Sequence, residues 1–425
     1  MKSLYSWNRR DFIVKPVAGL AASQLLGSLS NLLGQTPKAA GDAAKAEGDA
    51  KPICRPLGKT GIALPIVSMG VMNADVPGLV KRAYEVGIRL FDTAAFYQQG
   101  RNEQMVGSMI QEMGVRDKVI ISTKVLRPGF GFGREQGSQA QAKTYSPAEV
   151  KSHFLDIFAG SLKRLQMDHV DILYNHAADS EADILSEGAL EALTQMKKEG
   201  KTRFIGVSSH QPELALKLAM KSGAYDVVLI AFNYTVANDE GLLRTIDEAA
   251  KKGIGIVAMK TQAGGPMRPD PRLGKMLTPA SQTALLKWVL QHESITTAIP
   301  GYTRYEQIDQ NFAVASSLAY TPEEREFVSD KKTMAEAQFC RQCGQCRGDC
   351  PRGVDIPTLM RSHMYAVQYS NHLLAANTLA TMVRGRGLDA CGDCDACTAK
   401  CRNSVNIAMK IQHLKEISSI GRMSV

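Results

Sequence analysis

Eight of the nine cysteines fall between positions 340 and 401, in two runs of the same form. Cys340, Cys343, Cys346 and Cys350 are spaced by two, two and three intervening residues, and Cys391, Cys394, Cys397 and Cys401 repeat that spacing. Thiolates are soft, strongly donating ligands suited to iron. A triple at this spacing wraps three thiolates round one cubane and leaves the fourth to reach a second. The spacing therefore implies two [4Fe–4S] clusters with crossed ligation. Cys340, Cys343, Cys346 and Cys401 serve one, and Cys391, Cys394, Cys397 and Cys350 serve the other. Two four-cysteine zinc sites could use the same eight thiolates, but zinc rarely needs the triple. A disulfide scaffold would spread its cysteines through a small secreted domain.

A second chemistry-bearing set follows the ends of three β-branched runs. Asp92 and Tyr97 come after the first, Lys124 ends the second and His176 the third. Singly these read as a helix cap, a rim aromatic, a solvated lysine and a structural histidine. Together they make a proton-transfer set. An ammonium favours the phenolate, a carboxylate keeps that lysine charged and placed, and a histidine orients a carbonyl.

These residues need a scaffold that gathers strand ends. Strands are expected at Ile66–Met69, Ile88–Phe91, Lys118–Thr123, Val170–Tyr174, Arg203–Val207, Asp226–Ile230, Ile254–Ala258 and Thr296–Ile299. Helices are expected between them at Pro77–Val86, Glu103–Met113, Pro147–Leu165, Ala189–Lys198, Pro212–Met220, Glu240–Lys251, Thr283–Gln291 and Tyr305–Ser317. Pro77, Pro147 and Pro212 open helices, where a missing amide donor costs nothing. Gly87, Gly114, Gly200, Gly223 and Gly253 follow helices as C-terminal caps. Eight such units over about 270 residues are the arithmetic of a (β/α)8 TIM barrel, whose chemistry lies at the C-terminal strand ends. A doubly wound sheet would offer a G-x-G-x-x-G turn after its first strand, and none occurs. An insertion after Lys124, carrying Phe130 and Phe132, is expected to act as a lid over substrate.

From Arg55 to Ser317 the chain resembles the aldo-keto reductase family. Its opening Arg55-Pro56-Leu57-Gly58-Lys59-Thr60-Gly61 is similar to the family's hairpin that plugs the barrel bottom. The resemblance implies a catalytic tetrad of Asp92, Tyr97, Lys124 and His176, with Tyr97 as proton donor and hydride from a nicotinamide cofactor. It places the cofactor against Ser208, Ser209, Met259, Lys260, Gly301, Thr303, Arg304, Gln307 and Asn311. Thr303 and Arg304 favour NADP over NAD, holding a 2′-phosphate at a helix N-terminus. Three positions depart from the family pattern: Ser209 replaces an asparagine, Leu229 a glutamine and Met259 a stacking aromatic. The substrate is a small carbonyl compound or alcohol.

The chain carries a net charge of +9. Through Ala46, six basic residues face two acidic ones, and from Asp330 onward thirteen face eight. The middle is near neutral, which excludes a nucleic-acid-binding core. Asn8-Arg9-Arg10-Asp11-Phe12-Ile13-Val14-Lys15 resembles the twin-arginine export signal, and Ala44-Lys45-Ala46 offers a cleavage point. The apolar stretch after it is too short and interrupted to span a bilayer, so the mature protein is expected to be exported, periplasmic and not transmembrane, staying membrane-associated only where the signal is left uncleaved. The organisation expected is a leader and linker over 1–50, a barrel over 51–325 and an iron–sulfur region over 330–425. That last region resembles a bacterial ferredoxin in its ligation, with Arg402 where a second proline is usual, and it reads as helical over Asp355 to Val383 and Val405 to Ile417. Its basic excess suits a redox protein partner. The competing readings are a non-catalytic electron-transfer or binding subunit, and clusters that are purely structural.

Overall fold

The computed structural model describes residues 51–129, 144–262, 278–330, 340, 344–346, 348–368, 371–380, 382–392, 394, 397–402 and 405–420. The twin-arginine segment, Phe130, Phe132 and Cys343 lie outside the described residues.

The chain opens on a hairpin of β1 (Cys54–Pro56) against β2 (Ala63–Pro65), with Arg55 opposite Leu64. Eight parallel strands follow: β3 (Met69–Gly70), β4 (Leu90–Asp92), β5 (Ile120–Leu126), β6 (Val170–His176), β7 (Thr202–Ser209), β8 (Val227–Ala231), β9 (Gly255–Met259) and β10 (Thr297–Ala298). They pair in sequence order, and bridges from Val67 to Ala298 and from Gly70 to Gly301 bring the two edges together. The result is a near-closed eight-stranded barrel of the TIM type.

Strand alternation sorts the side chains into two layers. Leu90, Ile172, Tyr174, Val227, Leu229 and Val257 fill the interior, joined by Leu57, Ile62 and Leu64 of the hairpin. Their neighbours Phe91, Leu173, Val228 and Ile256 belong to a second cluster, packed with helix residues such as Phe154 and Phe158. Burying such a side chain stabilises by about 1.5–3 kcal/mol, which is why the hairpin stays seated. Arg55 helps to hold it, donating to the carbonyls of Leu290, Ile295 and His292. Gly255 leaves the space that Leu57 fills, since a Cβ there would lie 2.7 Å from its side chain.

The outer helices are α1 (Pro77–Val86), α2 (Arg101–Met113), α3 (Pro147–Leu165), α4 (Glu181–Ile184), α5 (Glu187–Lys198), α6 (Pro212–Ser222), α7 (Glu240–Lys251), α8 (Pro279–Leu290), α9 (Tyr305–Ala313) and α10 (Pro322–Ser329). The three helix-opening prolines stand where the sequence placed them. All five expected cap glycines adopt positive φ. Two helices were not legible. Ser180 caps α4, and Thr321 with Glu324 forms a capping box that starts α10. α8 begins four residues before the expected start because Thr278 caps it and Pro279 takes its first position.

The C-terminal region is largely helical. α11 (Ile356–His363) runs into a π-helical turn at Met364–Gln368, and α12 (His372–Ala380) and α13 (Ile407–Ile420) follow. Val354, Ile356, Leu359, Val405, Ile407, Ile411 and Leu414 make its core together with Cys391. Tyr365, Ala366, Val367 and Ala375 pack against Met72 in the loop after β3, and the Asn371 amide approaches Asn73 Oδ1 at 3.5 Å. This region therefore roofs the C-terminal mouth of the barrel. Among the described residues no helix is long and apolar enough to cross a membrane.

Candidate active site

Asp92 ends β4, and Lys124 lies on β5 beside it, both on interior-facing positions. The Lys124 ammonium donates to Asp92 Oδ2 at 2.5 Å, to the Thr93 carbonyl at 2.6 Å and to the Tyr97 hydroxyl at 3.5 Å. Ser122 occupies the other oxygen of Asp92 at 2.6 Å. The lysine and aspartate side chains are only 1% and 5% exposed. Burial lowers the Lys124 pKa, and the Asp92 charge and hydrogen bond work against that shift.

Tyr97 opens a tight turn, Tyr97–Gly100, in which Gln98 and Gln99 take φ values of 50° and 58°. Left-handed backbone at a non-glycine residue costs about 1–2 kcal/mol and needs support from its surroundings. The Gln98 amide supplies it by donating to the carbonyls of Met72 and Ala74, and Asn102 anchors the same loop through Val71. His176 ends β6. Its ring stands edge-on to Tyr97, with centroids 5.9 Å apart, and lies 5.0 Å from Phe96. Burial first, then the charges of Lys124 and His210, push the His176 pKa well below the usual histidine value. Its Nδ1 is buried without a hydrogen-bond partner. A neutral imidazole thus faces the tyrosine whose hydroxyl the lysine holds. The four residues expected to work together do meet in one place.

Asp92, Tyr97 and His176 line a cleft with about 150 Å³ of open volume at the C-terminal mouth of the barrel, and Lys124 is buried against Asp92 and Tyr97. Ser208, Met259, Lys260, Gly301, Gln307 and Asn311 line it as well, and so does Leu229. Ser209 does not. One residue beyond an interior-facing serine, it faces the other way, and its hydroxyl donates to Asp179 at 2.9 Å. Thr303 and Arg304 stand outside the cleft wall at the N-terminus of α9, where Gln307 Oε1 accepts from both their backbone amides. Gln307 is therefore a helix cap as well as a wall residue. Lys260 holds a φ of 57°. The next residue, Thr261, has a buried hydroxyl in the same cleft without a hydrogen-bond partner among the described residues.

The cysteines form a separate site. Cys350, Cys391, Cys394 and Cys397 line one cavity of about 470 Å³, walled further by Val354, Ile356 and Ile411. Burial, and the neighbouring Cys350, Cys397 and Cys394, push the Cys391 thiol up. Cys340, Cys346 and Cys401 pack against the same apolar core. Among the described residues no group of three or more His, Cys, Asp or Glu is gathered tightly enough to hold a single metal ion.

Comparison with known proteins decides the family. Residues 69–283, half of the chain, match the model of the aldo/keto reductase family. The chain belongs to the aldo/keto reductase family. It is an oxidoreductase of that type. It is 27% identical over 320 residues to the L-galactose dehydrogenase of Arabidopsis thaliana, covering 66% of this chain and 94% of that one. It is 26% identical over 325 residues to the L-glyceraldehyde 3-phosphate reductase of Escherichia coli O157:H7, covering 64% and 89%. Among solved structures, an aldo-keto reductase of Bacillus halodurans in its holo form shares the fold, with 24% identity, a TM-score of 0.53 and coverage of 66% and 96%. Residues 328–406 match the model of a 4Fe-4S dicluster domain.

Part of this reductase's cleft was not legible in the sequence. Arg361, Tyr365, Leu374 and Thr378 reach it from the C-terminal region, and His210 reaches it from the end of β7. His210 is fastened to Asp179 through its Nδ1 at 3.0 Å and its backbone amide at 2.6 Å. Burial lowers the His210 pKa against the pull of that carboxylate. Burial also opposes ionisation of Asp179, but His210 and the hydrogen bonds outweigh it and hold the carboxyl down at about 2. Arg361 and Tyr365 are four residues apart and so share a helix face, yet no local pattern says which surface that face meets.

Proposed function

We propose that this protein is an exported, NADP-linked reductase that interconverts a carbonyl compound and an alcohol, with two [4Fe–4S] clusters in its tail for electron transfer. The observation that carries the first half is the buried Lys124 ammonium, which donates to Asp92 and to the Tyr97 hydroxyl, two groups that line the cleft together with His176. Tyr97 is the proton donor to the carbonyl oxygen. Lys124 stabilises the phenolate left behind, and Asp92 keeps the lysine charged and placed. His176, neutral at working pH, orients the carbonyl by hydrogen bonding.

The residues present fit a dinucleotide. Among the described residues the buried Thr261 hydroxyl, in the cleft wall, lacks a hydrogen-bond partner. Ser208, Met259 and Lys260 would hold its nicotinamide half, Gly301, Gln307 and Asn311 the remainder, and Thr303 with Arg304 a 2′-phosphate at the α9 N-terminus. When bound, this group supplies or accepts the hydride. Replacing Tyr97 with Phe tests the assignment. Reduction of aldehydes should fall at least a hundredfold while the barrel keeps its melting profile, and unchanged turnover would remove Tyr97 from the reaction.

The cysteine cavity supports the second half. Its four cysteines are the set that crossed ligation requires, three from the second run and the fourth from the first. Cys340, Cys346 and Cys401, with Cys343, would hold the other cluster. Clusters supply one-electron steps, and the tail's basic excess would steer an acidic redox protein. Export rests on Arg9 and Arg10. Changing both to Lys should strand the precursor in the cytoplasm, and continued appearance of the protein in the periplasm would reject the signal.

A further inference from the structure

Two cations face the cleft without an ion-pair partner among the described residues. Lys260 enters from the end of β9 and Arg361 from α11 of the cysteine-rich region, and both line the cleft that holds Tyr97 and His176. Among the described residues neither forms an ion pair. The Arg361 guanidinium makes a long hydrogen bond to Thr358 Oγ1 at 3.4 Å, and the Lys260 ammonium lies 5.7 Å from the Tyr365 ring centroid. Both cations contribute to depressing the pKa of His210, so the three groups lie within electrostatic reach of one another. The nearby carboxylates are committed elsewhere: Asp92 to Lys124 and Ser122, Asp179 to His210 and Ser209. Holding like charges beside a narrow cleft costs free energy that a bound anion returns.

We propose that Arg361 is the specificity-determining residue of the cleft, and that the substrate is a carbonyl compound carrying a carboxylate. The inference rests on the reductase reading and names its substrate class. The guanidinium presents donors in a planar fork that matches a carboxylate bidentately, whereas the ammonium of Lys260 acts as a point charge. Arg361 lies over the β7 end of the mouth, beside His210. The dinucleotide's expected partners Gly301, Gln307 and Asn311 come instead from the segment after β10 and from α9. The roof and the barrel thus divide the task. The barrel supplies the proton donor, and the C-terminal region selects what reaches it.

The test uses the full chain purified anaerobically, with NADPH oxidation followed for 4-oxobutanoate and for butanal, two aldehydes of equal length of which only the first is charged. The parent should favour 4-oxobutanoate. Arg361→Gln should lower the ratio of the two kcat/KM values by about ten- to a hundredfold, mainly through KM, as expected for a lost charged hydrogen bond. Arg361→Lys should restore part of it. Succinate, which cannot be reduced, should bind the parent in calorimetry and bind Arg361→Gln more weakly by a similar factor. An unchanged ratio would overturn the proposal. So would a raised NADPH Kd at constant ratio, which would assign the guanidinium to the cofactor's pyrophosphate. If neither aldehyde is turned over yet succinate binding depends on Arg361, the anion site stands and the reductase reading fails.

Discussion

Removing the Lys124 ammonium tests whether Asp92, Lys124 and Tyr97 act as one unit. At 2.5 Å and an effective dielectric near 20, the gross attraction in the Lys124–Asp92 pair is about 7 kcal/mol. Desolvation offsets much of that, but Lys124→Met leaves the Asp92 carboxylate buried with the Ser122 hydroxyl as its remaining side-chain partner. Breaking one side of such a pair costs about 3–5 kcal/mol. Adding Asp92→Asn removes the stranded charge, so the double variant should regain about 2–3 kcal/mol over Lys124→Met alone. Activity should not follow. Both variants should lose about 10²- to 10⁴-fold in carbonyl reduction, because the proton donor has lost its cation in each. Stability is read from urea unfolding followed by Trp288, the lone tryptophan of a chain begun at Ala50, which packs at 5.3 Å against Phe232. A loss below 1 kcal/mol for Lys124→Met, or a double variant whose losses simply add, would refute the coupled arrangement.

The remaining predictions concern protons and iron. His176 has a folded pKa below its unfolded value, so the unfolded chain takes up a proton near pH 6.5 that the folded chain refuses. Stability should therefore fall as pH drops below about 6.5, by up to ~1.4 kcal/mol per pH unit for this group. His176→Gln should flatten the dependence of Tm on pH between 7 and 5, and an identical slope would exclude His176 as a contributor. Crossed ligation makes Cys350 and Cys394 serve the same cluster. Cys350→Ser and Cys394→Ser should each lower iron from about eight to about four per chain, and the double variant should lose no more. Uncrossed ligation would instead strip the double variant of nearly all its iron.

How far the sequence reached depends on the range of the interaction concerned. The tetrad was legible because each member lies close to the C-terminal end of a strand, Lys124 two residues before the end of β5, and a barrel brings those ends together whatever the loops do. Periodicity placed the helices, and proline and glycine marked many of their ends. Ser209 shows where a pattern misleads. The Ser208-Ser209 pair read as two cofactor ligands, but alternation turns the second away, and Asp179 takes its hydroxyl. Gln307, expected against the cofactor, has its carbonyl oxygen engaged with the Thr303 and Arg304 amides. Arg361 lay beyond reach for a different reason. Its neighbours in the cleft from the barrel, Lys260 and His210, are more than a hundred residues away in sequence, and only the docking of α11 on the barrel mouth brings them together.

That docking gives α11 two neighbours at once. Ile356, at its start, walls the cysteine cavity, and Arg361, five residues on, walls the cleft. At 1.5 Å per residue their Cα atoms are about 7.5 Å apart along the axis. A cluster held in the cysteine cavity would gain negative charge on reduction, and at an effective dielectric near 20 two unit charges ~15 Å apart repel by about 1 kcal/mol. Linkage would act both ways: a reduced cluster would weaken binding of an anion at Arg361, and that anion would make the cluster harder to reduce by the same amount. With a cluster in the cavity and an anion in the cleft, one short helix would make ligand affinity and reduction potential two readings of a single coupling energy.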